Sequence, residues 1–203
     1  MLQKIARIAS YIFYPLFIPF YSFLILLNDN SYYSRRIPYT GKLIIEGLLL
    51  VTTILLPLIC CYLLWKKKMI RSIFLETREE RIFPLITVAI FYYLSYYLLR
   101  GIHVPAVYSY FMLGLTFLVI CALVISFFHK ISLYMISLGS LLGVLFGLSF
   151  GHGMDQTQFI MVTLFITGVI ATVRLTDNSH KPLEIYSGLF VGFLVMFLLF
   201  YFV

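Results

Sequence analysis

A polar stretch near the end of the chain, Val173–Gly188, combines a guanidinium, an imidazole and a carboxylate between two long apolar runs. Five residues separate Arg174 from His180, and three separate His180 from Glu184. If a helix begins around Ser179, this spacing stacks the imidazole and the carboxylate on one helix face. A carboxylate that accepts a hydrogen bond from one ring nitrogen directs the other as a nucleophile or base. The stretch therefore predicts that His180, oriented by Glu184, acts as a nucleophile or as a base.

Two further polar segments interrupt the apolar sequence, Leu75–Pro84 and His129–Tyr134. They contribute guanidinium, ammonium and hydroxyl groups. Guanidinium forks bind phosphate oxygens in pairs, and a helix N-terminus adds backbone N–H donors. The side chains that we predict to bind a phosphate are Arg78, Arg81, Lys130, Ser132 and Arg174.

The composition identifies the elements that must position these groups. Of 203 residues, 62% are hydrophobic and only 11% are charged, and the mean hydropathy is +1.01. Soluble domains are about half apolar and a quarter charged, so the sequence indicates an integral membrane protein. The apolar runs are continuous and about 17–25 residues long, which favours membrane-spanning helices over the alternating strands of a β-barrel.

The expected fold is all-α, a polytopic transmembrane bundle of about six to seven helices in a single domain, 1–203. Prolines in the first two runs should interrupt them, at Pro15, Pro19 and Pro57. The seven apolar runs lie at about 8–27, 43–65, 83–99, 106–128, 131–151, 157–173 and 185–203.

Alternation of these runs across the bilayer puts all three polar segments on one face. The Lys and Arg residues divide unevenly: Lys4, Arg7, Lys66, Lys67, Lys68, Arg71, Arg78, Arg81, Lys130, Arg174 and Lys181 lie on that face, and Arg35, Arg36, Lys42 and Arg100 on the other. The positive-inside rule then predicts that the polar segments face the cytoplasm. The net charge of +7 is thereby assigned to helix orientation and lipid head groups, and no nucleic-acid partner is predicted.

Glycines at four-residue spacing predict close packing of the fifth and seventh runs, because small residues let helix backbones approach each other. They are Gly139, Gly143, Gly147 and Gly151 in one run, and Gly188 and Gly192 in the other. The two runs begin with Ser132 and Glu184 on the same face, so packing would bring these polar starts together.

Some charged positions also have plainer interpretations. Lys66–Lys68 with Arg71 would orient helices, and Arg78–Arg81 would form a solvated ionic turn. Glu46 lies one helical turn from Lys42 and would reach the interface with it. No metal or other cofactor is predicted, because the cysteines lack ligand spacing; they are Cys60, Cys61 and Cys121.

The order and spacing of the three segments resemble the type 2 phosphatidic acid phosphatases, the lipid phosphate phosphatases related to vanadium haloperoxidases. The third motif of that family reads Ser-Arg, five residues, His, three residues, Asp. Arg174, His180 and Glu184 match it, with Val173 in place of Ser and Glu in place of Asp.

The other two motifs match less closely. The second family motif reads Pro-Ser-Gly-His, and here Ile131–Tyr134 keeps only Ser132. The first reads Lys, six residues, Arg-Pro; Arg71 and Arg78 keep this spacing without the Pro, and Arg81 with Pro84 is a looser match. The resemblance covers a phosphatase-like core of about 66–203.

The resemblance implies hydrolysis through a phosphohistidine. His180 would attack phosphorus with Glu184 orienting it, while Arg174 and the other predicted ligands hold the phosphate oxygens. Tyr134 occupies the place of the family's proton-donating His, and a tyrosine with a pKa of about 10 is a poor acid at neutral pH. The implied substrates are lipid phosphates that enter from the bilayer, a phosphatidate or a polyprenyl diphosphate. A diphosphate should react more easily, because its leaving phosphate needs little protonation.

The resemblance also suggests a site on the outer face of the cell membrane, opposite to the prediction from charge. Two other functions stay open: a catalytically inactive relative that binds lipid phosphates or partner proteins, and a small transporter. Intramembrane charge is sparse, with Glu46 as the main candidate for transport. The oligomeric state is not predicted.

Overall fold

A computed structural model describes residues 13–29, 31–67, 78–102, 104–177 and 181–203, without the side chains of residues 78 and 79. These residues form helices and their connections, with no β-strand among them. The predicted all-α class is therefore confirmed. The helices are α1 (Ile18–Asn28), α2 (Tyr32–Arg35), α3 (Tyr39–Leu49), a π-helical segment (Leu50–Leu55), α4 (Leu56–Lys66), α5 (Arg78–Gly101), α6 (Ala106–Phe128), α7 (Leu133–His152), α8 (Thr157–Thr176) and α9 (Pro182–Phe202).

Six stretches of the described chain are long and apolar enough to cross a membrane. They are the continuous helix from α3 to α4, and α5, α6, α7, α8 and α9. The chain thus has the architecture of a multi-pass membrane protein. The described part of the first apolar run is different, because α1 has 11 residues and is only about 16 Å long, about half of a bilayer core.

The predicted interruption near Pro57 takes the form of the π-helical segment. Proline has no N–H to donate and crowds the carbonyl of the preceding turn, so the regular α-helical pattern is disturbed just before it. The hydroxyl of Thr53 donates instead to the carbonyl of Leu49 at 2.7 Å. Its neighbour Thr52 lies 2.7 Å from the hydroxyl of Ser95, which ties α5 to this segment through a buried hydrogen bond.

The two charged residues of α3 bond to neutral partners. The Lys42 ammonium donates to the Ser34 hydroxyl at 2.7 Å, and a Glu46 carboxylate oxygen accepts from the Asn28 amide at 3.0 Å. The first contact is part-buried and the second is exposed, near one end of the span. Glu46 is therefore placed at the edge of the apolar region and is held by a side-chain amide there.

The chain divides into two compact units, Met1–Pro19 with Ile131–Val203, and Phe20–Lys130. In the first unit, α7 is the most enclosed span, with 67% of its apolar window buried. The predicted glycine packing of α7 against α9 is confirmed. A Cβ added to Gly139 or Gly143 would collide with the carbonyl oxygen of Leu189 or Phe193, and one added to Gly192 with that of Ile136. The two backbones are in direct contact.

This contact predicts which glycines the fold requires. Gly192→Ala should destabilise the protein by about 1–3 kcal/mol, because the new methyl group meets backbone atoms that cannot move aside alone. Gly168→Ala in α8 is the matched control: no atom outside its own helix lies within 4 Å of the added Cβ, so stability should stay equal or rise. Unfolding of both variants in detergent measures the difference. Equal stability of the two variants would contradict the packing.

Candidate functional site

The polar starts of α7 and α9 meet through their backbones. Ser132 is the N-cap of α7, and its N–H donates to the carbonyl oxygen of Glu184 at 3.1 Å. One turn further along α9, a Cβ on Gly188 would lie 2.9 Å from the carbonyl oxygen of Ser132. Helix packing therefore brings Ser132 and Glu184 together, as the glycine pattern predicted.

The place where the starts of α7 and α9 meet, near Ser132 and Glu184, is called the corner below. The end of α8 contacts it through an arginine. Arg174 lies in the last turn of α8, and its guanidinium carbon is 3.6 Å from the centroid of the Tyr134 ring in the first turn of α7. The ring of Tyr14 approaches Tyr134 edge-on, with centroids 6.1 Å apart and planes at 84°. Such a cation–π contact is worth about 0.5–2 kcal/mol and holds the guanidinium over the ring.

Contact with the ring through the guanidinium face leaves the N–H edge of Arg174 for other partners. Guanidinium N–H groups point outward in the plane of the group, which is the geometry that pairs with the oxygens of an anion. The Nε atom of Arg174 is buried and has no hydrogen-bond partner among the described residues. Arg174 is thus held in place at one face and has donor capacity to spare.

The Ser132 hydroxyl is the second donor at this corner whose hydrogen-bonding capacity is not satisfied. The exposure of Ser132 is 0%, and its hydroxyl has no hydrogen-bond partner within the described part of the chain. An unsatisfied buried hydroxyl costs about 1–3 kcal/mol, which an acceptor at this position would recover. Ser132 lies two residues before Tyr134, so both orphaned donors belong to the same corner of the first unit.

Glu184 was predicted to orient His180, but in the structure its carboxylate caps the start of α9. The helix α9 begins at Pro182 with Lys181 as N-cap, not around Ser179. One carboxylate oxygen of Glu184 accepts from the Lys181 N–H at 3.3 Å in a capping box. The residue before a proline is driven to extended backbone, and Lys181 has φ −75° and ψ 154°, so the helix cannot start earlier.

This start of α9 removes the helical argument for a stacked His180 and Glu184. His180 lies outside the described residues, and it precedes the N-cap of the helix. The carboxylate of Glu184 reaches back toward the chain that leads into α9, where it stabilises the positive helix terminus. Its pairing with His180 remains a prediction.

The first predicted segment is helical, and it belongs to the second unit. The structure places Arg78 at the start of α5, with Arg81 in its first turn and Pro84 inside the helix. The interpretation as a solvated ionic turn is wrong for Glu80 and Arg81, which are only 9% and 5% exposed. A buried charge requires paired or hydrogen-bonded surroundings, so Arg81 is a residue of the packed interior.

The remaining predicted ligands are divided between the units. Lys130 is half-buried in the connection before α7 and is the last residue of the second unit. The described site therefore consists of Ser132, Tyr134, Arg174 and Glu184, all in the first unit. Among the described residues, no group of three or more His, Cys, Asp or Glu side chains has the arrangement of a metal site.

Comparison with protein-family models, with curated proteins and with solved structures gives no match to this chain.

Sequence reasoning missed Tyr14, which is 120 residues from Tyr134 in the chain. The carbonyl of the following Pro15 accepts a hydrogen bond from the Ser137 hydroxyl of α7 at 3.3 Å, which holds this segment beside Tyr134. An aromatic residue in a membrane protein rich in Tyr and Phe gives no signal by type. The only available signal was Pro15, which marks a non-helical turn there.

The contact between Arg174 and Tyr134 makes the predicted phosphate binding depend on the Tyr134 ring. Tyr134→Phe keeps the face that contacts Arg174 and should leave the affinity for inorganic phosphate within about twofold. Tyr134→Ala removes the face and should weaken binding about fivefold, because the guanidinium loses about 1 kcal/mol of orientation. Titration calorimetry of the purified protein measures both. Loss of binding in Tyr134→Phe, or full binding in Tyr134→Ala, would contradict the positioning role.

Proposed function

We propose that this chain is a membrane-embedded lipid phosphatase whose phosphate site lies where α7 and α9 begin and α8 ends. The observation that carries the proposal is the stack of Arg174 on Tyr134 beside the enclosed hydroxyl of Ser132. Two segments that resemble motifs of one phosphatase family meet there, although 40 residues lie between Ser132 and Val173 in the chain. The pattern and the packing support the same corner.

In this proposal, the substrate's phosphate lies in the plane of the Arg174 guanidinium, and paired N–H groups bind two of its oxygens. The Ser132 hydroxyl donates to a third oxygen. The site lies at the end of apolar spans, so the hydrocarbon part of the substrate stays in the bilayer while the phosphate reaches the polar corner. This arrangement suits a lipid phosphate.

The reaction begins with His180 as nucleophile. A ring nitrogen attacks phosphorus, the N–P bond forms, and the bond from phosphorus to the leaving oxygen breaks. With a lipid diphosphate, the leaving group is a lipid monophosphate, which is stable without immediate protonation. With a phosphatidate, the leaving alkoxide must take a proton. Water then attacks the phosphohistidine, releases inorganic phosphate and restores the imidazole.

Tyr134 decides between these substrates. Its ring supports Arg174, and a phenol is a weaker acid than imidazolium, so it gives the leaving oxygen little help. The site is therefore suited to lipid diphosphates before lipid monophosphates. Glu184 stabilises the N-terminus of α9 through its hydrogen bond with the Lys181 N–H.

The proposal predicts a substrate order and a rescue. Purified protein should release phosphate from a polyprenyl diphosphate at least tenfold faster than from phosphatidate, and His180→Ala should lower that release at least a hundredfold. Tyr134→His should raise phosphatidate hydrolysis about tenfold or more, because an imidazolium can protonate the alkoxide. His152→Ala, at the far end of α7, is the control. Phosphate release that persists unchanged in His180→Ala would rule out the mechanism.

A second candidate is a protein that binds lipid phosphates without turnover. The observation that favours it is the phenol of Tyr134, which contacts Arg174 in the place of a proton-donating imidazole. Binding of both lipids with no phosphate release by the wild type would support this candidate. Hydrolysis gained by Tyr134→His would then identify the missing proton donor as the reason for inactivity.

The site's membrane face is part of the proposal. The described helix of the first run has only 11 residues, which is too short to cross a bilayer. The first run therefore does not assign Lys4 and Arg7 to a membrane face. Alternation of the spans assigned eleven Lys and Arg residues to the face of the polar segments. Without Lys4 and Arg7, nine remain on that face, against four on the other. This bias supports a cytoplasmic position of the corner.

A labelling experiment tests this orientation. In a cysteine-free background, Asp177→Cys puts a thiol on the exposed turn after α8. An impermeant maleimide should label it only after the cells are opened. The matched control, Asp155→Cys, lies in the exposed connection between α7 and α8 and should be labelled in intact cells. The reverse pattern would put the site on the outer face.

A further inference from the structure

An open groove with a volume of about 740 Å³ lies in the second unit, and none of its lining residues belongs to the proposed phosphatase site. Its walls are the turn before α3, the first two turns of α3, and the connection from α5 to α6. Of the described residues that line it, Arg36 alone is charged, and the others are apolar or glycine. The groove therefore combines one cation with a hydrocarbon-like surface.

The cation is held at a fixed position. The guanidinium carbon of Arg36 lies 4.3 Å from the centroid of the Tyr32 ring in α2, and a guanidinium N–H donates to the hydroxyl of the same residue. Arg36 is nevertheless exposed, so its charge is accessible at the groove. Its neighbour Arg35 is equally exposed but does not line the groove.

Two helix starts add to the positive potential. Pro38 is the N-cap of α3 and Pro105 is the N-cap of α6; both line the groove, and neither helix has a side-chain cap. The first backbone bonds of these helices are donated by Lys42 and Tyr108. The amides before them are therefore not used inside either helix, and the positive ends of both helix dipoles lie at the groove.

The position of the groove along the apolar spans indicates which kind of ligand it would bind. It lies where three apolar spans begin or end, which is the level of lipid head groups. Isoleucines of α3 extend it along the span; Ile45 is buried, whereas Ile44 is 65% exposed. A soluble anion would satisfy the charge but leave this apolar wall in water, and a neutral lipid would leave Arg36 without a counter-charge.

We propose that this groove binds one anionic phospholipid. Its phosphate lies between Arg36 and the two helix starts, and one acyl chain follows Ile44 and Ile45. Charge complementarity selects the head group, and the apolar wall selects a lipid over a soluble phosphate. This binding site is separate from the proposed phosphatase corner and does not depend on its activity.

Native mass spectrometry of the full-length, delipidated protein tests the proposal. Titration with phosphatidylglycerol should show one tightly retained lipid, with phosphatidylcholine bound at least tenfold more weakly. Arg36→Gln should weaken phosphatidylglycerol binding about tenfold, while the matched control Arg35→Gln should change it less than about twofold. Arg36→Lys, which keeps the charge but not the fork, should be intermediate.

The same experiment can overturn the proposal. Equal effects of Arg36→Gln and Arg35→Gln would show that the groove does not select the lipid, and so would equal affinity for phosphatidylcholine. Glycerol phosphate should not displace the retained phosphatidylglycerol at millimolar concentration. Displacement would mean that a soluble anion is sufficient, which contradicts a lipid site. Thermal unfolding of each variant in detergent distinguishes loss of binding from loss of fold.

Discussion

The glycine-lined contact between α7 and α9 is the constraint on which the first unit depends. Gly139, Gly143 and Gly192 let the two backbones touch, so neither helix can slide or rotate without collisions between backbone atoms. This register fixes the hydrogen bond from the Ser132 N–H to the carbonyl of Glu184. The chemistry of the corner therefore follows from helix packing in the interior of the span.

The stack of Arg174 on Tyr134 gives the corner its functional character. In the proposed function, Tyr134 stands in the place of an expected acid and supports the guanidinium that would bind phosphate. A ring held between Arg174 and Tyr14 is suited to keeping a cation still. In the proposed function, catalysis therefore depends on orientation and charge, and on a leaving group that needs little proton transfer.

The fold was more predictable than the site, because span length and glycine spacing are properties of the sequence alone. Six of the seven apolar runs correspond to the six spans, whereas the described helix of the first run is too short to be one. The four-residue glycine spacing identified the α7–α9 contact. The start of α9 was predicted wrongly, since Ser179 was favoured as a cap while Pro182 and the extended Lys181 set the boundary. The burial of Arg81 and the approach of Tyr14 depend on tertiary packing, which neither residue type nor spacing encodes.

Covalent trapping on His180 tests the central claim most directly. Purified protein would be mixed with a lipid diphosphate labelled with ³²P at the terminal phosphate, quenched in base during turnover, and digested for mass spectrometry. A phosphohistidine mechanism predicts a base-stable, acid-labile phosphate on the peptide that contains His180, and none in His180→Ala. Hydrolysis that proceeds with no phosphate on that peptide would contradict it.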